Sequence, residues 1–222
     1  MIINHKYKFI FIKSFKTAGT SLEIALSKFC SDKDMITEIE PSDEIIRKNL
    51  KYTGPQNNNG IKVHMTASEI KSRIKSEIFE NYFKFVVVRN PFDQIISAYY
   101  WHNESKKNEK KFFFFKKKSI DFDKFFKRKA RHIFEDEINK FFENGKILVD
   151  KFISYENLKN DLSSLSDSLK LPENLYEVFK NIKAKSNIKP TKDKRIKLNE
   201  YHIKKIYEYA EKIIKLHNYK YK

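Results

Sequence analysis

Residues 9–22 read FIFIKSFKTAGTSL. The apolar run Phe9–Ile12 is typical of a buried strand, the polar residues after it predict a tight turn, and a helical pattern begins at Leu22. A turn between a strand and a helix directs backbone N–H groups towards one point, with the positive end of the helix dipole behind them. Together with Lys16, the turn at 16–21 is therefore expected to bind an anion, most simply a phosphate.

The order of residues in this turn separates it from the usual nucleotide-binding loop. A Walker A loop has a glycine, four further residues and then Gly-Lys-Ser/Thr, whereas here Lys16 precedes Gly19. A P-loop nucleotide phosphotransferase also needs a carboxylate for Mg²⁺, and no Asp-rich metal pair accompanies the turn. That enzyme class stays as an alternative interpretation, and no metal site is predicted.

Length and composition predict a single domain of α/β type. The chain has 222 residues, of which 40% are hydrophobic, and no Ser/Pro/Gly-rich linker interrupts it, so one domain over 1–222 is expected. The one cysteine, Cys30, cannot form an intramolecular disulfide, and no apolar run has the length of a secretion signal or a membrane span. These features predict a cytoplasmic protein without a transmembrane segment.

The charge of the chain favours anionic partners. There are 46 Lys and Arg against 29 Asp and Glu, a net charge of +17. Nucleic acid, anionic lipid, acidic polysaccharide and a polyphosphorylated nucleotide all fit this excess. A basic nucleic-acid-binding protein is thus a second alternative, but the phenylalanines follow helical, core-like spacing rather than the interleaved pattern of a stacking surface. No nucleic-acid partner is therefore expected.

Strands and helices alternate along the sequence, which favours a central, mostly parallel sheet with helices on both faces. The strongest strand pattern is Phe83–Val88, which is apolar and β-branched enough for burial on both faces. Thr66 and Glu69 have the spacing of a capping box at a helix start. The predicted elements are strands at 9–12, 34–39, 83–88 and 147–154, an extended piece at 62–65, a polar loop at 41–60, and helices at 22–29, 66–79, 91–101, 121–142, 155–169, 173–182 and 198–217.

A second strand-to-helix turn follows Phe83–Val88. Arg89 stands at the strand end, Pro91 suits the first turn of the next helix, and Ser97 comes two helical turns later. Ligands of α/β proteins bind at the carboxyl edge of the sheet, so both turns are expected at that edge. The forked guanidinium of Arg89 and the hydroxyl of Ser97 suit a second phosphate.

These segments resemble the sulfotransferases that use 3′-phosphoadenosine 5′-phosphosulfate (PAPS), particularly the carbohydrate sulfotransferases of the family 2 type. Residues 16–21 look like the 5′-phosphosulfate loop of that family, and residues 89–97 look like its strand and helix for the 3′-phosphate. Phe15 stands where a proline is frequent, and Gln94 replaces a frequent basic residue. The similarity extends through 64–67, 85–92, 152–158 and the closing Asn218-Tyr219, whereas 104–146 match nothing.

The resemblance implies a P-loop-like three-layer fold and in-line transfer of a sulfuryl group from PAPS to a hydroxyl acceptor, on a carbohydrate, with no required metal. Lys16 would stabilise the charge that develops on the leaving phosphate. His64 would be the base that deprotonates the acceptor. The implied nucleotide-binding residues are Lys16, Thr17, Ala18, Gly19, Thr20, Ser21, Arg89 and Ser97, and the implied catalytic residues are Lys16 and His64.

The base has alternatives in this sequence. An isolated histidine before a helix is often a capping or packing residue, and Glu104, Asp121 and Asp123 are rivals for the role of His64. These carboxylates lie in residues 104–146, which we interpret as a variable, acceptor-side helical insertion. The sequence therefore does not identify the acceptor.

Two basic segments also keep alternative interpretations. The Phe- and Lys-rich residues 105–118 are either an acceptor or peripheral membrane contact, or a helix with a core-facing stripe. The lysine-rich residues 183–195 are either a cover over the nucleotide or a charged connector.

Overall fold

The computed structural model describes residues 1–109, 120–182, 184 and 196–221, without the side chains of 105–109. The chain forms two compact units, Met1–Val88 with Asn139–Ala184, and Arg89–Ile138 with Lys185–Lys222. Most of the Phe- and Lys-rich segment and nearly all of the basic segment 183–195 lie outside the described residues. The expectation of one domain over 1–222 stays a prediction.

A five-stranded sheet is the centre of the first unit. The strands of this unit are β1 (Ile2–Asn4), β2 (Phe9–Ile12), β3 (Met35–Ile36), β4 (Phe83–Val88), β5 (Phe142–Glu143), β6 (Lys146–Ile147) and β7 (Lys151–Ser154). The sheet has the order β3-β1-β2-β4-β7, and β5 pairs with β6 separately. β2, β4 and β7 are parallel, whereas β1 is antiparallel to both of its neighbours. Four of the five strands thus point in one direction, and the predicted α/β class with a mostly parallel central sheet is confirmed.

The helices alternate with these strands along the chain. In the described ranges they are α1 (Gly19–Ser27), α2 (Pro41–Asn49), α3 (Ala67–Lys71), α4 (Ser76–Asn81), α5 (Pro91–Glu109), α6 (Phe122–Asn139), α7 (Leu158–Ser168), α8 (Leu175–Phe179), α9 (Glu200–Tyr209) and α10 (Glu211–His217), with a 3-10 turn at Tyr155–Asn157. Among the helices of these ranges, none is long and apolar enough to cross a membrane.

Both faces of the central strands are buried, as expected for parallel strands. Phe11 and Phe85 point to one face, where their rings stack at 5.4 Å between centroids and join a core with α1, α7 and α8. Ile12 and Val86 alternate to the opposite face and are also buried. This double burial explains why β2 and β4 were recognisable as continuous apolar runs.

Helix α1 begins at Gly19, three residues before the start predicted at Leu22. The hydrophobic pattern indeed starts at Leu22, but the Leu22 N–H already donates to the Ala18 carbonyl over 3.1 Å. Thr20 and Ser21 therefore lie in the first helical turn rather than in the loop before it.

Two predictions between β3 and α3 were wrong. The polar loop at 41–60 contains α2, which begins with Pro41 and has acidic residues in its first turn and basic residues in its last, an arrangement that complements the helix dipole. The extended piece at 62–65 is a turn in which His64 has a φ of 68°. Charge pattern and left-handed backbone, rather than apolar periodicity, determine these segments.

Other boundaries differ by interruptions. The capping box of Thr66 and Glu69 is confirmed, but the helix predicted to residue 79 is split into α3 and α4. The strand predicted at 147–154 is likewise split into β6 and β7, and β1 was not predicted because three residues are too short to show alternation.

Two of the rival carboxylates have structural partners within the second unit. Asp121 Oδ1 accepts a hydrogen bond of 2.8 Å from the backbone N–H of Lys124 at the start of α6. Asp123 lies 3.0 Å from Nε2 of the buried His202 on α9. These contacts favour structural roles for both carboxylates.

Candidate active site

The loop that follows β2, residues 13–18, is tied to α1 by a buried ion pair. Nζ of Lys13 lies 2.8 Å from Oε2 of Glu23, and the two side chains are 5% and 0% exposed. Gly19 lets the helix start pass close to this lysine, because a Cβ at Gly19 would lie 2.9 Å from Cγ of Lys13. The ion pair and the glycine together hold the loop against the first turn of α1.

A hydroxyl pair ties the same loop to the end of β4. The buried Ser14 hydroxyl donates to the carbonyl of Val87. Since that donation uses the only hydrogen of Ser14, the Thr17 hydroxyl is the donor in their contact of 2.8 Å. Loop 13–18 is therefore anchored to both the sheet and the helix.

The backbone of this loop turns through left-handed conformations. Lys16 has a φ of 60° and Ala18 a φ of 62°, a conformation that costs a residue other than glycine about 1–2 kcal/mol. Such strain persists only where the surroundings determine it, and it concentrates at ligand-binding turns. Lys16 itself is half-buried.

The start of α1 is suited to an anion. Its N-cap residue, Ala18, makes no side-chain capping hydrogen bond, and the first turn of the helix contains no acidic residue. The N–H groups of the first turn lack intrahelical acceptors, and the helix dipole adds positive potential there. Thr20 and the buried Ser21 contribute hydroxyl groups to the same turn.

The structure brings His64 against loop 13–18. Its Nδ1 lies 3.1 Å from the backbone carbonyl of Lys13, and its ring meets the Phe15 ring edge-on at 6.4 Å. Because a carbonyl can only accept, Nδ1 carries the proton in this hydrogen bond. The tautomer thus leaves the lone pair on Nε2, the nitrogen that a base would use.

The surroundings of His64 favour its neutral form. Burial of the ring, then the charge of Lys13 and that of Lys140, lower the pKa of His64 to about 4, although the hydrogen bond to the Lys13 carbonyl acts in the opposite direction. The residue as a whole is exposed to solvent, so the imidazole is accessible from the surface. The imidazole is neutral at pH 7.

Glu23 is the anion of a buried charge cluster beneath the loop. The Met1 amino group lies 2.6 Å from its carboxylate and the Arg47 guanidinium lies 3.7 Å from it, and the Thr37 hydroxyl donates to it over 2.9 Å. Burial alone would raise the pKa of Glu23, but the Met1 amino group and Lys13 outweigh burial and lower it. The carboxylate that holds Lys13 is therefore ionised.

Arg89 and Ser97 belong to the second unit. Arg89 directly follows β4 and is 9% exposed, and Ser97 is half-buried on α5. Asn90 begins that helix, since its side-chain oxygen accepts a hydrogen bond of 3.1 Å from the N–H of Phe92. Their predicted role as ligands of a 3′-phosphate stays a prediction.

Sequence reasoning missed the residues that support the site. Lys13 and Glu23 read as ordinary polar positions beside an apolar run, and only the fold shows their burial. Lys140 lies in the part of the sequence that matched no family segment, yet its Nζ donates to the His64 carbonyl over 2.6 Å. No local pattern signals a contact between residues 76 positions apart.

The comparison with known protein families gives one result. A family model described as "Sulfotransferase family" matches residues 1–220. No curated protein and no solved structure matches the chain. The match covers both turns and His64.

Proposed function

The chain belongs to the sulfotransferase family, and from this premise we propose that it transfers a sulfuryl group from PAPS to a hydroxyl of a carbohydrate. Membership of the family supports a transferase that uses a sulfuryl donor, and the resemblance of the two turns supports PAPS in particular. The carbohydrate acceptor rests on the resemblance to family 2 enzymes.

The observation that carries the proposal is the hydrogen bond of 3.1 Å between His64 Nδ1 and the Lys13 carbonyl. It joins the candidate base to the loop that contains Lys16, in the tautomer that leaves Nε2 able to accept a proton. A neutral imidazole beside an anion-binding turn is the combination that activation of a hydroxyl next to a phosphosulfate requires.

The proposed reaction is a single in-line displacement. As the acceptor oxygen forms its bond to sulfur, the bond from sulfur to the bridging oxygen breaks, and the electron pair stays on the leaving phosphate. His64 Nε2 takes the hydroxyl proton. Lys16 stabilises the growing charge on the bridging oxygen, a preorganised electrostatic contribution that is usually among the largest in catalysis.

The two turns divide the recognition of the donor. Backbone N–H groups of 17–21 with the Thr20 and Ser21 hydroxyls hold the 5′-phosphate, in keeping with the uncapped start that α1 shows within the described residues. Arg89 and Ser97 hold the 3′-phosphate, which ordinary adenine nucleotides lack. This division predicts a preference for a 3′,5′-bisphosphate.

Thermal denaturation with nucleotides tests the donor. Adenosine 3′,5′-bisphosphate is expected to raise the melting temperature more than AMP does at equal concentration. An equal shift for the two nucleotides would contradict the two-phosphate site.

A transfer assay tests the acceptor separately. The protein is incubated with isotopically labelled PAPS and a panel of glycans, and mass spectrometry locates the label on a sugar hydroxyl. Transfer to phenols or steroid alcohols but to no glycan would overturn the carbohydrate acceptor while leaving the sulfotransferase activity intact.

A further inference from the structure

His64 occupies a backbone conformation that its surroundings must maintain. Its φ of 68° lies in the left-handed region, which a non-glycine residue adopts at a cost and which persists where neighbouring contacts determine it. Its ring is held by the Lys13 carbonyl, as described above. Its own carbonyl is held by a second lysine.

That second lysine, Lys140, contacts the turn around His64 through both its side chain and its backbone. Its ammonium donates to the His64 carbonyl over 2.6 Å, and its backbone carbonyl accepts a hydrogen bond of 2.8 Å from the N–H of Ala67, the first residue of α3. Lys140 is 3% exposed. Burial of an ammonium group costs free energy unless hydrogen bonds compensate. A turn with no further role would not need a buried lysine to hold it.

We propose that Lys140 is a positioning residue for His64, because it holds the turn from which the imidazole reaches the Lys13 carbonyl, and so keeps Nδ1 on that carbonyl and leaves Nε2 as the proton acceptor. This inference rests on the proposed role of His64 as the base. Lys140 contacts the backbone carbonyl of His64 rather than its ring.

The charge of Lys140 acts on the same imidazole. The charged side chains that act on the pKa of His64 are Lys13 from the loop after β2 and Lys140 from the segment after α6. The Met1 amino group at the start of β1 acts in the same direction, but burial lowers its own pKa to about 5. Each of them disfavours the imidazolium form. Removal of one positive charge should therefore make His64 easier to protonate.

The experiment is the variant Lys140→Met, which keeps the length and apolar stem of the side chain but removes its donor and charge. Nitrogen-15 NMR of the histidine side chains, with His64→Gln to assign the signal among the six histidines, reports tautomer and pKa together. We expect the pKa of His64 to rise from about 4 towards its ordinary value of 6.5 and the Nδ1–H tautomer to lose its predominance.

Kinetics give the second readout. Since a displacement of about 1 Å can cost on the order of a hundredfold, kcat/KM is expected to fall by about tenfold to a hundredfold, with its acid limb moved to higher pH. The affinity for adenosine 3′,5′-bisphosphate should stay within about twofold of the original. This separation distinguishes misplacement of the base from damage to the nucleotide site.

The matched control is Lys84→Met. Lys84 is also buried, lies in the same unit, and donates to the carbonyls of Phe79 and Tyr82 over 3.1 Å and 2.8 Å. Lys84→Met should destabilise the fold without altering the tautomer or the pKa of His64. If Lys140→Met leaves both properties unchanged, or if Lys84→Met alters them equally, the positioning role is wrong.

A second variant keeps the test decisive if Lys140→Met does not fold. Lys140→Gln retains a hydrogen-bond donor without the charge, so it should raise the pKa of His64 while keeping its tautomer. An unchanged pKa would overturn the inference.

The NMR measurement needs neither the sulfuryl donor nor the acceptor. A protein that fails to bind the bisphosphate would therefore refute the proposed function while the Lys140 to His64 coupling is still measured.

Discussion

The two strand-to-helix turns look alike in sequence but begin their helices differently. The N-cap residue of α1, Ala18, makes no side-chain capping hydrogen bond, and both Lys16 and Ala18 have left-handed backbone conformations. The second turn is capped by its own Asn90, and Asp93 places a negative charge in the first turn of α5. The first turn can therefore offer backbone N–H groups to an anion, whereas the second must rely on side chains such as Arg89.

This difference divides the expected effects of mutation. Backbone groups cannot be removed by substitution, so the first turn is best probed through Lys16, the side chain proposed to act on the developing charge. The second turn should depend directly on its side chains.

The largest effect is expected at Lys16. Because Lys16 would act on charge that appears only in the transition state, Lys16→Met should lower kcat by about 10²-fold to 10³-fold and change bisphosphate affinity much less. Single-turnover rates and equilibrium binding measure the two quantities. Lys33→Met, at an exposed lysine of the same unit, is the control; an equal loss of binding and turnover at Lys16 would place this lysine in ground-state binding instead.

A smaller effect, on binding, is expected at Arg89. Loss of a charge-assisted hydrogen bond typically costs about 1.5–3 kcal/mol, so Arg89→Ala should weaken bisphosphate binding by roughly tenfold to a hundredfold and abolish the preference over AMP. Isothermal titration calorimetry with both nucleotides measures this. Arg128→Ala, at an exposed arginine of the second unit, should leave the preference unchanged, and a preference that survives Arg89→Ala would remove Arg89 from the site.

Asn90 separates capping from ligand binding. Its side chain caps α5 and also donates to the Lys220 carbonyl over 3.2 Å. If these structural contacts are its whole role, Asn90→Ala should lower the free energy of unfolding by about 1 kcal/mol and leave nucleotide affinity unchanged. Chemical denaturation and calorimetry provide the two values. Tighter bisphosphate binding after this substitution would mean that the freed N–H groups accept the phosphate, and the contrast between the turns would then fail.

Part of the fold was predictable from the sequence because its causes are local. β2, β4 and the capping box of α3 were predictable because burial on both faces and a local side-chain pattern leave direct traces in the sequence. The helix α2 was missed because it is stabilised by charge placement with little apolar periodicity.

The support of the site was not predictable for a physical reason. The Lys13 to Glu23 ion pair and the Lys140 to His64 hydrogen bond join segments that only the tertiary fold brings together. A sequence does not distinguish a buried lysine from a solvated one, so only the structure shows the burial and the partner of each lysine. His64 itself was predicted, but its tautomer and the direction of its pKa shift were not.

The smallest effect on kcat/KM is expected from a change of pH within the neutral range. The pKa of His64 is lowered from 6.5 to about 4 in the folded protein, so the neutral base predominates above that value and kcat/KM should change little through this residue between pH 6 and 8. Activity should decline as pH falls through about 4.

The same shift in pKa affects stability. Between pH 4 and 6.5 the unfolded chain binds more protons at His64 than the folded protein does, so His64 should make the folded state less stable as pH falls from 6.5. His64→Gln should remove that contribution to the slope of unfolding free energy against pH, and an acid limb of kcat/KM near pH 6.5 would show instead that the imidazole has its ordinary pKa and lacks the influence of Lys13 and Lys140.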